Sequence, residues 1–308
     1  MNNPKIIFAG SPQFAVPALE SLINAGKNVI AVITQPDKPA GRKRVLTPTP
    51  VKEFALKAGV PVYDFLKIRE NVQTLKNLGA DVMITCAYGQ ILTAEVLNCF
   101  PSGVWNIHAS LLPKFRGASP IQAAILAGET HTGITVMKTE LSLDTGDMLL
   151  VKRCEIGSLT CGGLTQKLSL LGAEAAVDAV DLLQSGQTQL LMQDESAATY
   201  CKKVQKEDGK LNFGAPAAQV LRLIKAFSPS PAAYCLHGGA VLNVLDAEPC
   251  ESGNGSLGEV LFADKRGVAV KCADGAVLIT ELQPAGGKVM RAADFVNGRK
   301  IKAGDILE

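Results

Sequence analysis

Apolar runs alternate with amphipathic stretches along the first half of the chain. The runs are short and rich in β-branched residues, which predicts buried strands at residues 5–10, 28–34, 60–63, 81–87 and 103–108. Helical periodicity, with proline near some starts and glycine at some ends, predicts helices at residues 17–26, 50–59, 69–78 and 93–98. Alternating strands and helices favour a parallel sheet that helices cover on both faces. The pattern therefore predicts an α/β domain.

A change of pattern then divides the chain in two. Two more strand-like runs and the longest helical pattern follow, at residues 132–139, 148–156 and 163–184. Residues 188–206 have no sustained period and end in a charged run, which is typical of a linker. We therefore predict a first domain at residues 1–187 and a second at residues 207–308.

The second domain has a different signature from the first. It opens with an amphipathic helix at residues 215–227. Short strand-like runs separated by glycine turns follow to the end of the chain. This spacing predicts a small β-barrel or sandwich.

Composition narrows the class of protein. The 308 residues include 31 Lys and Arg against 29 Asp and Glu, and a net charge of +2 argues against an indiscriminate nucleic-acid binder. Residues 226–245 form the longest uncharged stretch, but Pro229 and Pro231 interrupt it, so we expect no membrane span and no export signal. The eight cysteines are scattered without a C-x-x-C pair, which favours a reduced, cytoplasmic protein without a metal site.

The common nucleotide and hydrolase motifs do not occur in the sequence. The turn after the first strand, residues 10–14, has one glycine where a dinucleotide fingerprint has three. This turn is either a simple strand-to-helix connection or a loop that lines a ligand. A phosphate loop, a zinc-protease motif and a serine nucleophile elbow are also missing.

Asn106 and His108 are the first candidates for chemistry. They are two residues apart at the carboxyl end of a predicted buried strand, so both side chains point to one face at the edge where α/β sheets bind ligands. Buried polar side chains without partners cost about 1–3 kcal/mol each. The pair therefore either satisfies its hydrogen bonds locally or takes part in chemistry, and its position at the strand end favours chemistry.

Asp144 is a third candidate, in the glycine turn Leu143-Asp-Thr-Gly-Asp147 between two predicted strands. A turn carboxylate taken alone is usually a solvated cap. If Asp144 met His108 in space, it would stabilise the protonated imidazole and complete an acid/base pair.

A basic loop at residues 35–47 is the local candidate for a nucleic-acid contact. It holds Lys38, Arg42, Lys43 and Arg44 against Asp37 alone. Its prolines and glycine predict irregular backbone. Such a loop is either merely solvated or neutralises phosphates.

The motifs together resemble a known family. The run Asn106-Ile-His-Ala-Ser-Leu-Leu-Pro113, with the later Leu-Asp144-Thr-Gly-Asp turn, is similar to the signature of the 10-formyltetrahydrofolate-dependent formyltransferases. The opening IIFAGSPQFAVPAL, the loop TQPDKPAGR and the run AYGQIL extend the likeness to members that formylate initiator methionyl-tRNA. The resemblance implies a Rossmann-like catalytic domain, an oligonucleotide-binding type of barrel after it, and a monomer.

The resemblance also implies roles for individual residues. Asn106, His108 and Asp144 would form the catalytic trio, with no metal required. The formyl donor, 10-formyltetrahydrofolate, would contact Ser110, Leu111, Leu112, Pro113, Tyr88, Gly89, Gln90, Ile91 and Leu92. The methionyl end would face Ser11 and Phe14, and the tRNA would contact Lys38, Arg42, Lys43, Arg44 and Lys206.

Other acceptors and another class of protein remain possible at this point. A nucleotide sugar or a phosphoribosyl glycinamide could accept the formyl group, although the basic loop and the second domain favour tRNA. A non-catalytic folate- or RNA-binding module is the alternative outside enzymes. Intact Asn106, His108 and Asp144 argue against that alternative.

Overall fold

The strands and helices of the first half lie close to their predicted positions in the computed structural model, which describes residues 3–41, 44–251 and 253–308. The strands are β1 (Ile6–Gly10), β2 (Val29–Ile33), β3 (Lys38–Ala40), β4 (Val45–Thr47), β5 (Val62–Tyr63), β6 (Val82–Cys86), β7 (Val104–His108), β8 (Arg116–Gly117), β9 (His131–Lys138), β10 (Met148–Glu155) and β11 (Tyr200–Cys201). The helices are α1 (Val16–Asn24), α2 (Pro50–Lys57), α3 (Val72–Leu78), α4 (Ala94–Leu97), α5 (Pro120–Ala127) and α6 (Cys161–Ser185). Short 3-10 helices lie at Gln13–Ala15, Ile68–Glu70, Glu195–Ala197 and Glu207–Gly209.

A seven-stranded sheet in the order β10-β9-β7-β6-β1-β2-β5 forms the centre of the first half of the chain. The strands from β5 to β7 run parallel, whereas β9 and β10 are antiparallel to their neighbours. The central strand β1 is fully buried, as a parallel strand covered on both faces should be. The predicted Rossmann-like domain is confirmed, with an antiparallel edge added to its parallel sheet.

The register of the parallel strands determines where a site forms. β6 lies between β1 and β7, with Thr85 paired to both Ala9 and Asn106. The carboxyl ends of the three strands therefore meet at one edge of the sheet, the edge at which open α/β sheets bind their ligands.

Residues 38–40 and 45–47 form a two-stranded antiparallel ribbon, so the prediction of irregular backbone there was wrong for the described residues. Lys38 pairs with Thr47 and Pro39 with Leu46. A proline is tolerated because both strands of a ribbon are edge strands, where a missing N–H need not break a ladder. Within this loop Arg42 and Lys43 lie outside the described residues.

The chain divides into two compact units that interleave along the sequence. The first comprises Met1–Pro120, His131–Glu155 and Thr165–Cys201, and the second Ile121–Thr130, Ile156–Leu164 and Lys202–Glu308. Most of the predicted linker thus belongs to the first unit. β11 pairs in parallel with β8, and Arg116 N donates to Thr199 O at 2.8 Å. The segment has no hydrophobic periodicity because individual hydrogen bonds to β8, rather than a repeating apolar face, attach it to the first unit.

The second unit contains the predicted antiparallel barrel. Its strands are β12 (Ala233–His237), β13 (Ala240–Cys250), β14 (Val260–Asp264), β15 (Gly267–Lys271), β16 (Ala276–Pro284) and β17 (Met290–Arg291), and its helices include α7 (Ala217–Phe227) and α8 (Ala292–Asn297). The sheet order is β12-β13-β16-β15-β14. The last residues join the two edge strands, because Leu236 and Glu308 exchange two main-chain hydrogen bonds and Leu307 N donates to Gly258 O. In the described part of the chain, no helix combines the length and apolarity that a membrane span needs.

Candidate functional site

Asn106 lies near the end of β7, and only the oxygen of its side-chain amide is hydrogen-bonded within the described residues. Its Oδ1 accepts a hydrogen bond from Thr85 Oγ1 on the neighbouring strand at 2.9 Å. Its Nδ2 donates to none of the residues that the structure describes, and the side chain is half-buried. The strand pairing thus fixes the amide while leaving its two N–H groups free to donate to a bound molecule.

His108 is buried, with 6% of its side chain exposed, and each ring nitrogen has a different neighbour. Nε2 lies 3.0 Å from the main-chain oxygen of Phe115. Because a carbonyl oxygen can only accept, Nε2 carries a hydrogen. Nδ1 lies 3.7 Å from Asp144 Oδ2. In a neutral imidazole Nδ1 is therefore the ring nitrogen without a hydrogen, and it faces the Asp144 carboxylate.

Asp144 is inside the site and is not the solvated cap that its turn alone would suggest. Its side chain is 11% exposed, and Oδ2 accepts the Gly117 N–H at 2.8 Å. Its backbone has a φ of 53°, in the left-handed region that few non-glycine residues adopt. The structure thus brings the three predicted catalytic residues to one edge of the sheet.

A buried arginine supports this edge, and the sequence did not reveal that role. Arg116 is fully buried, and its five N–H groups all donate: two to Glu195, two to Gln193 Oε1 and one to Tyr200. The paired Glu195 raises the pKa of Arg116, and Arg116 lowers the pKa of Glu195. All three partner residues come from the predicted linker. That segment has no hydrophobic periodicity, so the sequence pattern did not indicate their role.

The predicted folate segment after β7 is divided between inward and accessible side chains. Ser110 is fully buried, and its Oγ donates to Lys114 O at 2.7 Å. Leu112 packs with Met137 and Met148 in a small apolar cluster. Leu111 and Pro113 are half-buried, so they are the members of this segment that a ligand can reach.

The segment after β6 divides in the same way. Tyr88 and Leu92 belong to a hydrophobic core cluster, and burial raises the pKa of the Tyr88 hydroxyl. Gln90 is occupied by the segment that follows β5, because its Oε1 accepts from Ile68 N at 2.7 Å and its Nε2 donates to Phe65 O at 2.9 Å.

Gly89 and Ile91 are the exposed members of this second segment, and the Ile91 side chain is 87% exposed. Within the described chain, no residue accepts a hydrogen bond from the main-chain N–H groups of residues 89–92. An exposed apolar side chain beside free amides suits a flat heterocycle with polar edges.

Ser11 and Phe14 lie in the turn after β1, at the same edge of the sheet. Ser11 Oγ accepts from Gln35 N at 3.1 Å and lies 3.5 Å from Tyr88 O, to which it donates. Phe14 is half-buried, and its carbonyl accepts from Ser169 Oγ at 2.7 Å. The turn therefore ties neighbouring strands together at the site, and neither side chain is sealed in the core.

The predicted tRNA contacts that the structure describes are exposed cations. Lys38 and Arg44 are exposed on the β3–β4 ribbon, and Lys206 is exposed in the second unit. Asp37 at the base of the ribbon pairs with Lys52 at 2.7 Å, and this hydrogen bond, with a second one to Asp64, raises the pKa of Lys52. The carboxylate of the loop is thereby neutralised, which leaves the ribbon positive.

Metal ligands do not gather at this edge or elsewhere in the described ranges, where no group of three or more His, Cys, Asp or Glu side chains could hold an ion.

Two protein-family models match the chain. One, described as formyl transferase, matches residues 4–180. The other, described as formyl transferase, C-terminal domain, matches residues 203–300. Together they match parts of both units.

Individual proteins are similar over nearly the full length. The methionyl-tRNA formyltransferase of Ruminiclostridium cellulolyticum is 43% identical, covering 98% of this chain and 99% of its own. Among solved structures, WlaRD, a sugar 3N-formyltransferase with dTDP and 5-N-formyl-THF, is similar with a TM-score of 0.69 at 19% identity, covering 94% of this chain and 100% of WlaRD. HypX from Aquifex aeolicus in complex with tetrahydrofolic acid has a TM-score of 0.66 at 18% identity, and the match covers 96% of this chain but 47% of HypX. Identities this low show a shared fold alone.

Proposed function

This chain belongs to the methionyl-tRNA formyltransferase family, and we propose that it transfers the formyl group of 10-formyltetrahydrofolate to the α-amino group of initiator methionyl-tRNA. The product would support translation initiation. The observation that carries the proposal is the convergence of Asn106, His108 and Asp144 at the carboxyl edge of the sheet.

Asn106 would stabilise the charge that develops on oxygen. When the amine nitrogen attacks the formyl carbon, a bond to carbon forms and the carbonyl oxygen becomes an oxyanion. A pre-positioned N–H donor stabilises such an oxygen more in the transition state than in the ground state. The Asn106 Nδ2 is such a donor, because Thr85 fixes its amide through the other end.

His108 and Asp144 would manage the protons. The attacking amine must lose a proton, and the folate nitrogen must gain one as its bond to the formyl carbon breaks. Nδ1 of His108 is free to take up the first proton because Nε2 already donates to Phe115. The Asp144 carboxylate, 3.7 Å away, attracts the imidazolium that forms. The same proton then leaves with the folate, so the pair returns to its starting state.

The formyl donor would bind along the two segments that follow β6 and β7. Bound 10-formyltetrahydrofolate supplies a formyl group on an amine that is a good leaving group once protonated. The chain offers it the exposed Ile91 side chain, the free main-chain amides of residues 89–92, and the half-buried Leu111 and Pro113. Ser110, Tyr88, Gln90, Leu92 and Leu112 would support these surfaces from the interior.

The tRNA would be held by cations and the methionyl group by the first turn. Lys38 and Arg44 on the ribbon, with Arg42 and Lys43 beside them in sequence, would neutralise phosphates, and so would Lys206 of the second unit. Ser11 and Phe14 would face the methionyl end. We also propose that the enzyme acts as a cytoplasmic monomer, which the scattered cysteines and the tRNA substrate support.

Formyl transfer to charged initiator tRNA tests the proposal directly. Purified protein should formylate methionyl-tRNA with 10-formyltetrahydrofolate, and a nucleotide sugar or a phosphoribosyl glycinamide should not replace the tRNA. His108→Ala should lower kcat by about 100- to 10,000-fold, because it removes an acid/base group, while the Kd for folate stays within about threefold.

The control is His131→Ala, which removes an exposed histidine at the start of β9. This variant should keep full activity. Near-normal turnover by His108→Ala would show that the imidazole does not carry the proton.

A further inference from the structure

Gln193 lies in the segment predicted as a linker, yet its side chain reaches the turn that carries Asp144. Its Nε2 donates to the main-chain oxygen of Asp144 at 2.9 Å and to that of Gly146 at 2.8 Å. Both hydrogens of one amide group thus hold two carbonyls of the same turn. The turn needs such support because Asp144 has left-handed backbone, which non-glycine residues rarely adopt.

Arg116 determines which way the Gln193 amide points. Gln193 Oε1 accepts from Arg116 Nε at 3.0 Å and from Nη2 at 2.9 Å. Arginine has only donors and main-chain oxygens only accept, so one orientation of the amide satisfies both sides. A flipped amide would leave hydrogens facing the guanidinium and an oxygen facing two carbonyls.

Glu195 and Gly117 connect the arginine to the same carboxylate by a second route. Glu195 holds Arg116 through two parallel hydrogen bonds of 2.9 and 2.7 Å. The next residue along β8, Gly117, donates its N–H to Asp144 Oδ2. The strand therefore contacts the carboxylate through its main chain and the turn through Arg116 and Gln193.

We propose that Gln193 is a positioning residue for formyl transfer, which keeps the Asp144 carboxylate beside His108 Nδ1 and is itself oriented by Arg116 and Glu195. The proposal rests on the catalytic role proposed above for Asp144. The Gln193 amide is used by Arg116 and by the Asp144 turn, so its effect on turnover would pass through Asp144.

Gln193→Glu tests this with a change of one atom type. The variant keeps the acceptor that faces Arg116 but replaces the donating nitrogen with an oxygen that repels both turn carbonyls. We expect kcat to fall by about 30-fold, because small displacements of catalytic groups have large effects, while KM for folate and for tRNA changes less than about twofold. The matched control is Gln187→Glu, the same change at an exposed glutamine, which should leave both constants unaltered. A raised KM with unchanged kcat would overturn the proposal.

A double-mutant cycle shows whether the effect passes through Asp144. In an Asp144→Asn background, Gln193→Glu should lower kcat by less than about threefold further, because the group that it positions is already disabled. An equal loss in both backgrounds would mean that Gln193 acts elsewhere and would overturn the proposal. Near-full activity of Asp144→Asn alone would instead refute the catalytic role of Asp144.

Glu195→Gln provides a milder variant should Gln193→Glu fail to fold. The Glu195 side chain is 68% exposed, and the substitution leaves one acceptor for Arg116. We expect kcat to fall by about threefold with KM unchanged, and the loss to vanish in the Asp144→Asn background. If this variant is soluble and its kcat is unchanged, the result would contradict the proposed orienting role of Arg116 and Glu195.

Discussion

Gly117 shows how a single residue places the Asp144 carboxylate. Its N–H donates to Asp144, and its Cα lies against the main chain of β11, where a Cβ would be 2.2 Å from Cys201 O. Its φ of +118° is also one that side chains rarely adopt. The close approach of two backbones therefore excludes any larger residue.

Gly117→Ala should damage both activity and stability. The added methyl group must push β8 from β11, which moves the N–H away from Asp144. We expect kcat to fall by about 100-fold and the free energy of unfolding by about 2–3 kcal/mol. Steady-state kinetics and urea unfolding measure the two effects.

Gly157→Ala is the control, because Gly157 also has positive φ, +58°, but nothing lies within 4 Å of its Cβ position. It should cost about 1 kcal/mol of stability and leave kcat unchanged. If Gly117→Ala behaved like this control, the close packing of β8 on β11 would not matter for catalysis.

The β3–β4 ribbon is the element that presents the positive charge. Its two strands fix the spacing of Lys38 and Arg44, and the pair of Asp37 with Lys52 holds the base. Val45 and Leu46 on the second strand are 59% and 66% exposed. A ribbon is stiffer than the loop that its prolines suggest, so it loses less conformational entropy when RNA binds.

The double variant Lys38→Ala/Arg44→Ala should weaken the use of tRNA selectively. We expect kcat/KM for methionyl-tRNA to fall by about tenfold at low salt and its logarithmic dependence on salt to lose a slope of about 2, one for each lost phosphate contact. KM for folate should not change. The measurement is kcat/KM over a series of salt concentrations.

Lys57→Ala is the matched control, since Lys57 is an exposed lysine that pairs with Glu53 on α2. It should retain the salt slope of the parent protein. An unaltered slope in the double variant would mean that the ribbon merely lies in solvent.

Periodicity predicted the elements but not the contacts that complete the site. Alternation along a strand placed Asn106 and His108 on one face, and the structure confirms that placement. The ribbon was missed because its prolines resemble those of an irregular loop. Gln193 and Glu195 were missed because hydrogen bonds between segments that are distant in sequence produce no periodic pattern along the chain.

At the scale of the whole molecule, the two units are interleaved in sequence. Ile121–Thr130 and Ile156–Leu164 belong to the second unit although the first unit's segments flank them. A truncation after Lys206 would therefore leave two segments without the unit to which they belong. Point substitutions on the barrel, which leave both units complete, are therefore the test of an RNA contact there.

Closure of the barrel by the chain end predicts an effect on stability. Leu307 is 2% exposed and its N–H donates to Gly258 O, whereas the adjacent Ile306 is 45% exposed. Leu307→Ala should lower the free energy of unfolding by about 2–3 kcal/mol through lost packing. Ile306→Ala should change it by about 0.5 kcal/mol or less. Urea unfolding of both full-length variants makes the comparison, and equal effects would show that the end of the chain does not close the barrel.

The hydrogen bonds from Gln193 to the Asp144 turn affect when the enzyme becomes active during its synthesis. Every strand of the central sheet has left the ribosome by the time residue 155 emerges, yet Gln193 and the β11 strand come after the long helix α6. Domains fold largely as units while the ribosome extends them. A nascent chain that ends before residue 193 can thus assemble the sheet and hold Asn106 against Thr85. Its Asp144 turn still lacks the two hydrogen bonds from Gln193. Full activity is expected only when the last segment of the first unit, through residue 201, has been added.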